Sequence, residues 1–141
     1  MYPFEEAQKQ RIEKEVTAQF NQLVLALNQM DVGAWSDHYS KDGFLSAIAG
    51  TDHYAIRGAW VDTVTRYFST RERQHVEPLA VRVKALTPEL ALMTSEEKSK
   101  MGLKSGSTIQ SRHVFTMLWK KEQGGWKILH SHESWADEPV Q

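Results

Sequence analysis

Near the C-terminus two apolar-rich segments, residues 109–121 and 126–135, face each other across Glu122-Gln123-Gly124-Gly125. A linker of that length and composition between two β-prone runs marks a hairpin. Strand side chains alternate with period two, so a hairpin sorts its residues onto two faces, and the rest of the chain has to cover at least one of them. If Lys121 pairs with Trp126, one face carries Arg112, Val114, Thr116, Leu118, Leu129, Ser131, Glu133 and Trp135. The other carries His113, Phe115, Met117, Trp119, Trp126, Ile128, His130 and His132. A bulge would move one strand's set to the opposite face.

The preceding residues supply the cover. Over residues 4–29 the apolar positions Ile12, Val16, Phe20, Leu23, Val24 and Leu27 recur at helical spacing, which predicts a long amphipathic helix. Asp31 offers an N-cap for a short second helix through Trp35 and Tyr39, stopped by Lys41-Asp42-Gly43. A buried strand over residues 44–49 and a turn over 50–52 are expected next, then a third helix through Ile56, Trp60, Val64 and Tyr67 that ends near Ser69-Thr70. Leu79, Val81, Val83 and Ala85 alternate with Arg82 and Lys84, a strand that Pro78 places at an edge or a bulge. Residues 90–100 run back as another strand into the Gly- and Ser-containing stretch 101–108, expected to be a mobile loop, and residues 136–141 are expected to fray. With no repeat or linker, residues 1–141 read as one α+β domain whose antiparallel sheet wraps against helices.

Composition removes several functions. The 17 basic and 18 acidic residues leave a formal charge of −1, so no field draws the chain to nucleic acid or to an anionic membrane. There is no cysteine, hence no disulfide, thiolate nucleophile or Cys-based metal site. No apolar stretch approaches the roughly 18 residues of a membrane span, and no basic-then-apolar leader opens the chain. A soluble, cytoplasmic protein is the expectation. Nucleophile-elbow, P-loop and dinucleotide-binding glycine motifs are all missing.

Three constellations carry possible chemistry. The Glu133 face mixes apolar groups with an Arg, a Ser and a Thr, the composition of a small-molecule pocket. Burial there would raise the Glu133 pKa into the useful acid–base range, whereas a bond to Arg112 would lower it and make a structural pair. Trp35, His38, Tyr39 and Asp42 fall at helical spacing, either to protonate an enolate or leaving hydroxyl or simply as aromatic packing and a turn. Finally, His113, His130 and His132 share the opposite face, as a transition-metal set or as a packing surface of hydrogen-bonded imidazoles.

The element order, with Asp31-x3-Trp35-x3-Tyr39-x2-Asp42-Gly43, Gly58-x-Trp60 and Trp119-x4-Gly124-Gly125-Trp126-Lys-Ile-Leu-His130-Ser-His132-Glu-Ser134, resembles the SnoaL-like, ketosteroid-isomerase-like branch of the nuclear-transport-factor-2-like (cystatin-like) superfamily. The closing segment is also similar to the association domain of calcium/calmodulin-dependent kinases. The resemblance implies a curved antiparallel sheet and three helices forming a cone-shaped barrel with an internal pocket. It implies that Leu129, Ser131 and Glu133 face that pocket, that Thr116 stands where isomerases bind a developing oxyanion, and that His130 and His132 lie on a dimer side.

The resulting expectation is a homodimer that binds a small apolar or carbonyl-containing molecule, with no metal, cofactor, nucleic acid or membrane involved. Tyr39, Asp42 and Glu133 are the expected catalytic groups of a cofactor-free isomerase, cyclase or dehydratase-type lyase. Trp35, His38, Trp60, Arg112, Thr116, Leu129 and Ser131 are the expected ligand contacts. Trp119, Trp126, Ile128 and the histidines are expected to form the dimer face. The alternative is a non-catalytic ligand-binding or assembly module.

Overall fold

In the computed structural model, which describes residues 4–139, the first helix α1 spans Glu6–Gln29. It buries Ile12, Val16, Phe20, Leu23 and Val24 of the stripe that the apolar spacing defines, together with Ala26, while Leu27 is half-buried. Met30 ends it in the left-handed conformation (φ 51°), and the Met30 and Asp31 amides donate back to the Leu27 and Ala26 carbonyls. Helix α2, Val32–Ser36, begins where the Asp31 side chain accepts from the Ala34 amide at 3.0 Å.

That helix stops earlier than its sequence predicts. The Ile128 amide donates to the His38 carbonyl at 2.7 Å and the Ser40 amide to the Ile128 carbonyl at 2.9 Å, so residues 38–40 are bonded to a distant strand. Tertiary hydrogen bonds override the local preference. Arg57 reinforces the change of direction by donating to the carbonyls of Ser36 and Tyr39.

Strand β1 (Ser46–Ala49) is the buried strand that the sequence predicts, and with β2 (Asp52–Tyr54), which it does not, it forms a small hairpin around Gly50 (φ 63°). Helix α3, Arg57–Ser69, follows and buries Trp60, Thr63, Val64 and Phe68. The remaining chain is a meander: β3 (Arg71–Thr87), β4 (Leu90–Leu103), β5 (Thr108–Glu122) and β6 (Gly125–Glu138). Residues 104–107 are a tight turn, closed by the Leu103 amide on the Ser107 carbonyl, and not a long mobile loop. Nor does the chain fray after Trp135, since β6 runs on to Glu138; residues 140–141 lie outside the described part.

One sheet of order β2-β1-β6-β5-β4-β3 results, antiparallel except for the β1–β6 pair. Pro78 sits both on the edge strand and at a bulge, with the register shifting between Pro78 and Ala80. Such shifts, with the length of β3–β6, coil the sheet around the helices, giving an open α+β cone. Its core joins Val16, Phe20 and Leu23 of α1 to Ala91, Met93, Met117, Trp119 and Ile128 of the sheet. Trp126 packs inward as well and donates from Nε1 to Glu15 Oε2 at 2.9 Å. Trp119, Trp126 and Ile128 therefore belong to the chain's own core, and the dimer face expected of them is corrected. None of the described helices is long and apolar enough to cross a membrane.

Candidate functional site

The decisive irregularity lies in the last hairpin. Lys121 does pair with Trp126, Lys120 with Lys127 and Trp119 with Ile128, but Leu118 then pairs with His130, leaving Leu129 as an extra residue. The cause is again tertiary. At Ile128 and Leu129 the β6 backbone bonds to residues 38–45, including the Leu45 amide on the Leu129 carbonyl at 2.7 Å. After the bulge Met117 faces Ser131, Phe115 faces Glu133 and His113 faces Trp135.

Inward-facing residues are thus His113, Phe115, Met117 and Trp119 from β5, with Ser131, Glu133 and Trp135 from β6. Arg112 and Thr116 go to the outside, where both are exposed. Arg112 lies 3.9 Å from Glu96 and 3.8 Å from Glu138, and not against Glu133. Leu129, in the bulge, packs toward Gly43. These three leave the expected site for one reason, the single unpaired residue.

Between the sheet and the helices lies a cavity of about 240 Å³. Trp35, Tyr39 and Trp60 line one wall, with centroid separations of 5.0 Å (Trp35–Tyr39) and 5.8 Å (Trp35–Trp60). Phe68, Phe115, Met117 and Trp135 add apolar surface, and polar groups enter from Arg71, Gln74, Ser99, His113 and Glu133. Tyr39 is buried; its hydroxyl lies 3.2 Å from that of Ser131, which holds it in place without itself lining the cavity. Burial keeps the Tyr39 phenol well above its ordinary pKa, so it is a neutral donor.

Asp42 and His38 are not at the cavity. Because α2 ends at Ser36, Asp42 falls in an exposed turn, away from the helical face that carries Trp35. His38 turns its Nδ1 to the Ala34 carbonyl at 2.9 Å. The three hairpin histidines separate too: His113 Nε2 meets the Ser99 hydroxyl at 3.0 Å on the inner face, whereas His130 Nδ1 contacts Ser46. Among the described residues no three metal-binding side chains converge.

The Glu133 carboxylate makes no hydrogen bond or ion pair among the described residues, although it borders the cavity. Removal from water pushes its pKa up to about 7, against the attraction of Arg71 and with added repulsion from Glu97. Glu97 is the residue that sequence reasoning missed most completely. It is fully buried on β4, directly across from His113, and among the described residues neither carboxyl oxygen has a hydrogen-bond partner. Burial raises its pKa as well, to about 7, partly offset by the neighbouring Ser95 hydroxyl. The strict inward alternation of β4 from Ala91 to Met101 was the available signal, since it places Glu97 inside and Glu96 outside. Arg71, the first residue of β3, is the second omission, because the sequence reading began that strand several residues later.

A family model described as the SnoaL-like domain matches residues 16–138. No curated protein matches the sequence. Among solved structures, a nuclear-transport-factor-2-like superfamily protein from Salmonella enterica serovar Typhimurium superposes with a TM-score of 0.81 at 15% identity, covering 94% of each chain. A proposed dehydratase of the same superfamily from Streptomyces avermitilis gives 0.76 at 20% identity over 90% of this chain and 95% of its own. A hexachlorocyclohexane dehydrochlorinase, LinA type 3, from Novosphingobium barchaimii gives 0.75 at 11% identity over 90% and 88%. At such identities the structures share the fold, and the family model, matching most of the sequence, places the chain in the SnoaL-like family.

Proposed function

We propose that the cavity binds a small, largely apolar carbonyl compound and that Glu133 moves a proton on it, as in an isomerase, cyclase or dehydratase-type lyase. The observation that carries this reading is a carboxyl with no partner in an aromatic-walled cavity, its pKa near 7. Such a group is present as both acid and base at neutral pH, which suits it to take a proton from carbon and return it elsewhere. Tyr39, held by Ser131, is a neutral donor on the same cavity. The names of two structural neighbours denote eliminations, reactions that also remove a proton from carbon, though this is an analogy of fold alone.

The test is deuterium incorporation next to the carbonyl when a panel of small enolisable ketones, aldehydes and arylacetates is incubated with the protein in D2O and followed by NMR. Glu133→Gln should slow exchange by about 100-fold or more. Exchange that survives this substitution removes Glu133 from its role. Compounds that bind without any exchange would instead establish the non-catalytic binding module.

We also propose a homodimer, now through the outer sheet face, where Leu92 and Val114 are exposed beside the paired Leu118 and His130. Sedimentation should give twice the 16.2 kDa chain mass, and Val114→Glu should halve it. A wild-type species of single-chain mass discards this part.

A further inference from the structure

We infer that Arg71 is the specificity group of the cavity, and that the ligand is a compact aromatic acid, or an arene whose carbonyl develops negative charge, with its oxygens on the Arg71 guanidinium. The inference rests on the cavity being a ligand site, as proposed above, but not on proton transfer.

Arg71 lines the cavity together with the carboxylates Glu133 and Asp137, yet among the described residues no carboxylate lies within ion-pair distance of its guanidinium, and Asp137 accepts from the Ser111 hydroxyl instead. A partly buried arginine without an anion is costly to keep unless something else supplies one. The group is also held in place. Its Nη1 donates to Gln74 Oε1, and the Gln74 amide in turn donates to the Leu27 carbonyl of α1 at 2.8 Å. The guanidinium lies 5.6 Å from the centre of the Tyr67 ring, another lining residue. Gln74 therefore takes one donor direction, and the planar fork retains others for a two-oxygen acceptor.

Glu133 is the competing explanation for Arg71. Its charge stabilises the guanidinium, yet the two stand farther apart than an ion pair, and both line the cavity. A ligand that fits there presents oxygen to Arg71 and apolar surface to Phe68, Phe115 and Trp135. A cavity of about 240 Å³ suits a compact ligand, on the scale of one substituted ring.

Phenylacetate and phenylethanol, alike in shape and different in charge, are suitable probes for titration calorimetry on the full chain. Wild type should bind phenylacetate about tenfold more tightly, Arg71→Met should erase that preference while leaving phenylethanol within twofold, and Arg71→Lys should fall between. Equal wild-type affinity for the two probes, binding of neither, or an unchanged preference in Arg71→Met overturns the inference. The wild-type comparison needs no variant to fold. Glu133→Gln should keep the preference, so the two readings fail separately: deuterium exchange that survives in this variant, or is absent in wild type, discards proton transfer by Glu133 and leaves the charge preference standing, whereas equal affinity for the two probes discards the role of Arg71 alone.

Discussion

Substituting Gln for Glu97 is expected to stabilise the protein at pH 8 and leave it nearly unchanged at pH 5. Glu97 is fully buried with both oxygens unpartnered, and its pKa in the fold is about 7, against an ordinary value of 4.5. Between those values the folded state holds a proton that the unfolded state has lost. Glu97 thus contributes stability below about pH 4.5 that is lost as pH rises through 7. Gln keeps the shape without the titration, so the difference between variant and wild type should grow from under about 1 kcal/mol at pH 5 to about 3 kcal/mol by pH 8. Urea unfolding at pH 5, 6, 7 and 8 measures it. His38 and His113, whose pKa values burial lowers, tilt the profile of each protein the opposite way, but they are common to both and cancel in the difference. Parallel profiles for the two proteins would mean that Glu97 is not the buried carboxyl described.

Trp119→Ala should have the larger absolute effect. Trp119 is completely buried between α1 and the sheet, among the largest such side chains, and its removal leaves a cavity that this coiled sheet cannot collapse. A loss of about 3–5 kcal/mol is expected, a large part of the stability of a domain this size. Trp119→Phe should cost much less, because it retains most of the apolar contact and removes an indole N–H that has no partner. Denaturant midpoints for the three proteins decide the point: similar costs for Ala and Phe would place the energetic weight on that N–H and not on packing.

The two residues also show where sequence reasoning reached and where it stopped. Trp119 was visible as part of an apolar strand, but its side of the sheet was assigned to a partner chain. Glu97 lay in a strand that was foreseen and was still overlooked, because burial of a carboxyl is a property of what covers it. Asp42 and His38 were assigned by helical spacing to a helix that stops at Ser36, where the backbone instead pairs with Ile128.

Local pattern and turn chemistry determined much of the architecture: the α1 stripe from Ile12 to Leu27, the Asp31 cap, the third helix, the alternation in β3, and a final hairpin that starts with Lys121 opposite Trp126. These depend on residues close together in the chain, where periodicity and capping act. Which face of that hairpin meets the cavity was decided only by the tertiary structure. The bulge at Leu129 arises from hydrogen bonds to residues 38–45, almost ninety positions away, and one unpaired residue exchanges Arg112 and Thr116 for His113 and Phe115 beside Glu133. Arg71 comes to the cavity, and Glu97 to the buried face opposite His113, by the coiling of β3 and β4 around the helices; the alternation of β4 gives Glu97 its side of the strand, and only long-range packing covers it.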